Sequence, residues 1–460
     1  MLLYIHVPFC RAKCRYCAFY SRAGADDAAL AAWARAIEDD LRLWGQALRS
    51  GGMETAPLFF ADGSDGTYGR HGVFGKGDLR PRVTSIFFGG GTPSLLSPAL
   101  LGRILDRAAR EFSIDPEAEI SMEANPESMT GQKACGFLAA GVNRVSLGVQ
   151  ALDDGLLSAV GRVHSRADAL RAYEGLRRAG FENVGLDFIW GLPGESLDSW
   201  CAQLQEAAAL RPEHLSCYGL TLEEGTPLYA QRHSLCLPEE SAQAAMYMRC
   251  GEILESHGYR QYEISNYALP GRECRHNLGY WLGADYLGLG PSAVSAMGGR
   301  RWSQPADFAA WAAAPREALM PGAPAGMGGL VSAAPVADDR AAEHLPSPLV
   351  ETEELGFREQ AEELVMLRLR TARGLPLDEY RRFTGRDFAA DNADFIAALA
   401  SEGLASIVED EPGGDGAAAT GGLEPTACRG PRFALSRAGM LISNSVIEQC
   451  FESIPDAPEK

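Results

Sequence analysis

Over the first three hundred residues, short near-continuous apolar runs alternate with longer stretches whose apolar side chains recur every third or fourth position. The short runs, Leu2 to Val7, Val83 to Phe88, Glu119 to Glu123, Arg144 to Val149, Val184 to Trp190 and His214 to Leu220, predict strands. The longer ones, Ala28 to Arg49, Pro98 to Phe112, Gly131 to Ala140, Ala167 to Ala179 and Leu197 to Leu210, predict helices. Asp153 and Ser196 are placed to accept the first amides of helices, and Gly141 and Gly180 to end them. Six strand–helix units imply an α/β protein with a parallel sheet covered by helices, a partial (β/α)6 barrel of the TIM type. Such a sheet gathers its chemistry at the C-terminal ends of its strands.

The pattern changes after residue 300. Ala312 to Pro348 is rich in Ala, Pro and Gly without a period, and Gly51 to Pro81 and Glu411 to Pro431 share that composition, so all three read as surface insertions. Phe357 to Leu369 has helical period, Gly374-Leu375-Pro376 opens a second helix, and Ala389 to Glu402 makes a third. Ala405 to Val408 and Arg432 to Leu435 suit a two-stranded ribbon, followed by a helix from Ser436 to Phe451. Residues 1–300 therefore form a core domain interrupted at about 50–81, 301–352 a linker, and 353–460 a small α+β domain of winged-helix shape interrupted at about 411–431.

The 460-residue chain carries a formal net charge of −19 with no Lys/Arg block, which disfavours binding to nucleic acid. The winged shape of the last domain does not rescue that reading, because residues 353–460 hold twenty acidic and eleven basic side chains. With no apolar stretch of about eighteen residues and no charged segment ahead of an apolar core at the start, neither a transmembrane segment nor a signal peptide is expected. Of the eleven cysteines, Cys135, Cys201, Cys217, Cys236, Cys250, Cys274, Cys428 and Cys450 are scattered singly, as in a reduced, cytoplasmic protein.

The other three, Cys10, Cys14 and Cys17, crowd a loop directly after the run Tyr4-Ile5-His6-Val7-Pro8-Phe9. Three thiolates so close, with no clear fourth, can hold three irons of a [4Fe-4S] cluster and leave the fourth iron open. Zinc competes, but it usually takes four ligands, and no second Cys or His pair follows at a suitable spacing. Arg11, Lys13 and Arg15 are expected to lower the thiol pKa values and offset the cluster's charge.

Further polar residues fall at predicted strand ends. Gly89-Gly90-Gly91-Thr92-Pro93 follows the second strand, where bare backbone can approach a ligand. Glu123 and Asn125 end the third, Gly148-Val149-Gln150 the fourth with Arg162 soon after, and Asp187 lies in the fifth before Gly191-Leu192-Pro193-Gly194. Singly each reads as a turn or a cap, but together they make a polar pocket. Farther on, His276-Asn277-Leu278-Gly279-Tyr280-Trp281 sets an imidazole, a capable axial iron ligand, beside aromatics that can pack on a macrocycle. On spacing alone, His276 reads better as a hydrogen-bonded structural histidine. His6 is expected to line the substrate side of the pocket, and Cys274 lies close before His276.

As a set these motifs resemble the radical S-adenosylmethionine (SAM) superfamily, specifically its coproporphyrinogen oxidase-like group. The resemblance covers most of residues 1–300 and rests on Tyr-Ile-His-Val-Pro-Phe-Cys-x3-Cys-x-Tyr-Cys, Gly-Gly-Gly-Thr-Pro-Ser, Ser-Met-Glu-Ala-Asn-Pro, Gly-Val-Gln and Leu-Asp-Phe-Ile-Trp-Gly-Leu-Pro-Gly. It implies that Cys10, Cys14 and Cys17 ligate the cluster, that SAM chelates the open iron, and that Tyr4, Tyr16, Gly90 and Glu123 contact that SAM. Gly91, Thr92, Gln150, Arg162 and Asp187 match positions that contact a second SAM in the oxidase. Residues 353–460 resemble the group's C-terminal domain.

Two departures separate branches of that group. The oxidase branch carries a fourth cysteine two positions after the third, where this chain has Phe19, and an extension before the motif, where only nine residues precede Cys10. Both features resemble the HemW-type heme chaperones, in which the His-Asn-x-x-Tyr-Trp pattern is associated with heme binding, so the resemblance implies a heme role for His276. It further implies heme as cargo, acceptor hemoproteins such as respiratory-chain proteins as partners, and homodimerisation; with no membrane anchor expected, membrane contact is expected through a partner. Coproporphyrinogen III dehydrogenase, or another radical SAM enzyme of porphyrin synthesis, is the alternative, and an electron carrier a third reading.

Overall fold

The computed structural model describes residues 1–50, 80–316, 320, 351–409 and 430–457, so most of the three expected insertions lies outside the described residues. Six parallel strands stand side by side in chain order: β1 (Leu2–Val7), β2 (Arg82–Gly90), β3 (Ser113–Ala124), β4 (Arg144–Gln150), β5 (Val184–Trp190) and β6 (His214–Gly219). Each obeys a period of two. Ile86, Phe88, Leu147, Leu186, Phe188 and Leu215 face a core shared with Trp33, Ile37, Ile104, Phe137, Leu176 and Trp200 of the covering helices. The alternate positions, Phe87, Ser146, Asp187 and Ser216 among them, line the opposite, concave side. The strands are therefore not apolar on both faces, as continuous runs would imply.

The covering helices are Asp27–Arg49, Pro98–Glu111, Gly131–Ala139, Arg166–Ala179 and Leu197–Ala209. Ser196 accepts the amide of Ser199, and Asp153 that of Leu156, starting a short helix, Asp154–Ala159, that the periodicity did not predict. Gly180 ends its helix in the left-handed region, with φ +101°. β3 begins six residues before its apolar run because Asp115 is held by Arg82 of the neighbouring strand.

A seventh parallel strand, Tyr286–Leu289, pairs with β1, and Val294–Met297, Arg300–Ser303 and Glu351–Glu354 continue that edge antiparallel. At the other edge β6 pairs antiparallel with Asn266–Ala268, which pairs with Arg260–Gln261. The outermost strands do not meet, so the barrel stays open.

The C-terminal unit packs Leu364, Leu369, Tyr380, Phe388, Phe433 and Ile447 together with Tyr247 of the core domain's helix Glu240–Ser256. Its ribbon of Ala405–Val408 and Arg432–Leu435 gains a third, short strand, Leu375–Pro376. Two expected helices are each broken once, into Phe388–Asp391 and Ala393–Ser401 and into Arg437–Leu441 and Ser443–Phe451. Asn392 marks the first break by donating its side-chain amide back to Phe388 O at 2.9 Å.

Candidate functional site

One cavity of about 800 Å³ opens along the C-terminal ends of the strands, and the residues that the resemblance assigns to cluster, SAM and heme all line it. Its rim is the cysteine loop, closed by a two-residue pairing of Phe9–Cys10 with Arg22–Ala23. Cys10, Cys14 and Cys17 are half-buried. Thr92 Oγ1 donates to Cys10 Sγ at 3.4 Å, and Arg162 Nη1 to Cys14 Sγ at 3.5 Å. Burial pushes the Cys17 thiol up, and the neighbouring Cys14 and Cys10 add to this, against the pull of Lys13. Lys13 thus acts in the expected direction but is outweighed by burial; Arg11 and Lys13 are exposed, and Arg15 turns away to Ala159 O at 3.0 Å and to Gln231. The cation that touches sulfur is Arg162, from across the cavity. Among the described residues no three His, Cys, Asp or Glu side chains converge as a single ion requires, whereas a four-iron cluster asks each thiolate to reach its own iron.

Gly90 and Gly91, at the end of β2, line the cavity and are also tightly packed from behind. A Cβ on Gly90, which has φ +104°, would lie 2.5 Å from the His6 ring, and one on Gly91 2.6 Å from Phe9 O. His6 does not line the cavity; its ring bridges Tyr4 Oη at 3.1 Å and Tyr20 O at 3.0 Å. Burial raises the phenol pKa values of Tyr4 and Tyr16.

Glu123 accepts the Gly90 amide at 3.0 Å, and burial, then the nearby Asp187, raises its carboxyl to about 8. Burial also raises Asp187, although hydroxyls of Ser216 and Ser146 and the guanidinium of Arg144 oppose this. Two carboxyl groups reluctant to ionise fit a ligand bearing positive charge, which would favour their ionised forms.

Arg162 Nη2 donates to Asn125 Oδ1 at 2.8 Å and to Gly148 O at 2.7 Å. Asn125 Nδ2 in turn donates to Thr92 at 3.0 Å. Gln150 joins them, since a methyl on Gly148 would lie 2.9 Å from Gln150 Nε2 and 3.3 Å from Arg162 Nη2. The same cavity is lined by His276, 1% exposed on the helix Arg275–Trp281. Its Nδ1 meets Ser85 Oγ at 2.7 Å and its Nε2 meets Tyr280 Oη at 2.9 Å, while burial lowers its pKa to about 3. Glu119 caps that helix through the amides of Arg275 and His276 and the thiol of Cys274.

Sequence reading missed the inner wall: Arg144, Ser146, His214 and Ser216 also line the cavity. Buried Arg144 lies 3.9 Å from Glu119 and donates to Asn183 and to Arg272 O. The signal was present as polar residues at alternate positions of otherwise apolar strands.

An open parallel α/β barrel that gathers a three-cysteine loop, buried carboxyls and a fork-like arginine at its strand ends defines a protein of the radical SAM class. Residues 76–205 match the radical SAM superfamily model, and residues 358–411 the HemN C-terminal domain. The heme chaperone HemW of Bacillus subtilis is 35% identical over 301 residues, covering 65% of this chain and 71% of that protein. The heme chaperone HemW of Escherichia coli is 35% identical over 291 residues, 63% and 68% of the two chains. The mouse radical S-adenosyl methionine domain-containing protein 1, mitochondrial, is 37% identical over 295 residues, 63% of this chain but only 59% of that one. The fold is similar to that of E. coli coproporphyrinogen III oxidase (HemN), with TM-score 0.68 at 19% identity over 98% of this chain and 89% of the other. This chain belongs to the HemN-like radical SAM family, among its HemW-type members. Among the described residues no helix is long and apolar enough to cross a membrane.

Proposed function

We propose that the chain is a heme chaperone on a radical SAM scaffold, holding a [4Fe-4S] cluster on Cys10, Cys14 and Cys17 and SAM beside it, and passing heme to acceptor hemoproteins in the cytoplasm. The observation that carries this reading is the continuity of one cavity from the thiol loop to His276 and Tyr280. Phe19, 70% exposed, stands on the rim where the oxidases place a further cysteine. The cluster, when bound, would supply an open iron for SAM to chelate and an electron to pass to it. The chain's own residues bind and orient: Glu123 and Asp187 face the ligand's positive charge, Tyr4, Tyr16 and Gly90 flank it, and Gly91, Thr92, Gln150 and Arg162 hold the other side. His276 serves heme once its Nε2 leaves Tyr280. Homodimerisation would follow the cluster's state.

The test is anaerobic reconstitution followed by heme titration with and without SAM. Stoichiometric heme binding supports the reading, and absence of heme binding overturns it. A second reading, coproporphyrinogen III dehydrogenase, draws on Thr92, Gln150, Arg162 and Asp187 lining the same cavity. Protoporphyrinogen formed anaerobically from coproporphyrinogen, SAM and a reductant would select it.

A further inference from the structure

β4 does not end as a regular strand. Its pairing with β5 sets Gly148 opposite Asp187 and then Gln150 opposite Phe188, so Val149 is a bulged residue without a partner position. Gln150 follows with φ +66°, a value few non-glycine residues adopt. The amide of Ala151 bonds back to Val149 O at 2.9 Å, closing a three-residue turn over Gln150 of the strained, positive-φ kind. This turn carries a side chain of the cavity wall, so something must hold it.

Two side chains from one short segment do so. Arg162 Nη2 takes the carbonyl of Gly148 at 2.7 Å, and His164 Nε2 takes the next carbonyl, that of Val149, at 3.0 Å. The His164 side chain is wholly buried, and its Nδ1 faces Glu127 Oε2 at 3.6 Å. Neither of those two atoms has a hydrogen-bond partner, so each is left to the other. The segment is fixed at both ends: the Arg162 amide bonds to Leu157 O at 2.9 Å, and Ser165 opens the next helix in a reciprocal cap with Asp168. Glu127 sits in the turn Pro126–Ser128, directly after the Asn125 that also receives Arg162.

We propose that His164, backed by Glu127, is a positioning residue of the SAM side of the cavity, holding the Val149 carbonyl and with it the turn that aims Gln150 beside Arg162. A histidine merely filling core space would not need a ring nitrogen on the bulge carbonyl and a carboxylate behind the ring. The inference rests on the proposed binding of SAM.

The test compares wild type with His164→Ala, His164→Gln and Glu127→Gln after anaerobic reconstitution. Iron per chain, SAM affinity by calorimetry, and hydrogen–deuterium exchange of the Gln150 and Ala151 amides in SAM-free protein are measured. In His164→Ala, iron stays at the wild-type level, SAM affinity falls roughly tenfold to a hundredfold as for other supporting partners, and the turn amides exchange faster. His164→Gln, whose amide can donate to Val149 O, recovers most of the affinity and protection. Wild-type affinity in His164→Ala overturns the inference, as does a loss that His164→Gln does not restore. Should His164→Ala fail to fold, Glu127→Gln decides: a weaker SAM complex with iron retained supports the role, and wild-type affinity ends it. If wild-type protein binds no SAM, the proposed function fails, and the exchange data alone judge the clamp: unchanged turn amides in His164→Ala overturn it.

Discussion

Arg162 and Cys14, 148 positions apart in the chain, meet at 3.5 Å between Nη1 and Sγ. The other arm of the same guanidinium holds Gly148 O and Asn125 Oδ1. One planar side chain therefore ties the cysteine loop to the ends of β3 and β4, and places a permanent positive charge against a site that gathers three cysteines.

Arg162→Lys keeps the charge and loses the fork, because an ammonium on a flexible stem cannot span three acceptors on two sides. Each lost charge-assisted bond is worth about 1.5–3 kcal/mol. The expected result is lowered thermal stability, weaker SAM binding and iron that is lost faster to a chelator. Differential scanning calorimetry with chelator challenge checks it, and an unchanged chelation rate would show that Arg162 does not support the cysteine loop.

Two glycines of the site separate fold from binding. A methyl on Gly91 meets backbone, Phe9 O at 2.6 Å and Val7 O at 2.8 Å, so Gly91→Ala should yield little soluble protein. A methyl on Gly148 meets side-chain ends, Gln150 Nε2 at 2.9 Å and Asn125 Oδ1 at 3.1 Å, which can swing aside. Gly148→Ala should then fold with near-native circular dichroism and bind SAM more weakly. Equal behaviour of the two variants would contradict this division.

Glu123 makes the ligand-free protein less stable as pH rises. Its carboxyl sits at about 8 in the fold against an ordinary 4.5, so between those values the folded chain keeps a proton that the unfolded chain has released. Stability conferred below 4.5 is then lost progressively as pH climbs through about 8. Glu195 and Glu263, each raised to about 7, act in the same direction, so the informative quantity is the difference between wild type and Glu123→Gln. The variant should lose less melting temperature than wild type between about pH 5 and about pH 9. Parallel curves would show that Glu123 ionises without cost.

Much of this was legible in the chain because periodicity and motif agree. The runs that made β1 to β6 also fixed which residues stand at strand ends, and the cavity lies there. The strand Tyr286–Leu289 was not legible: four residues with Gly288 in the middle give no pattern, and the strand exists because β1 offers an edge. His164 was not legible either, since its role depends on a bulge that only the register of β4 against β5 reveals. His6 was misplaced for a related reason: two residues beyond the cavity-lining Tyr4, its ring is drawn instead to Tyr20 O and packs beside Gly90.

Arg368 ties the C-terminal unit to the His276 helix. Arg368 pairs with Glu379 at 2.6 Å in a buried setting and donates to Trp281 O at 2.5 Å, at the end of that helix. Arg368→Met leaves Glu379 buried without its partner, a change that costs about 3–5 kcal/mol. Urea unfolding should show a correspondingly lower midpoint, with the C-terminal unit cleaved first by protease. Arg368→Met with Glu379→Met should recover part of the loss; no recovery would mean that the contact to Trp281 O dominates.

Tyr280 decides whether His276 is a heme ligand or a structural histidine. The ring is neutral, the form that binds iron, because burial lowers its pKa to about 3. Both nitrogens are nevertheless engaged, Nδ1 by Ser85 and Nε2 by Tyr280 Oη at 2.9 Å. Ligation through Nε2 must break the second bond, and a neutral hydrogen bond is worth about 1 kcal/mol. Tyr280→Phe removes that bond while keeping the edge-on ring packing against His276 and Tyr286. If His276 ligates, Tyr280→Phe should bind heme about fivefold more tightly, the same 1 kcal/mol expressed as a ratio. His276→Ala should bind more weakly and lose the histidine-ligated absorption band. If both variants titrate as wild type, His276 is a packing residue, and His276→Ala should show only a loss of stability, about 2–4 kcal/mol for a vacated core site that leaves the Ser85 hydroxyl without its partner.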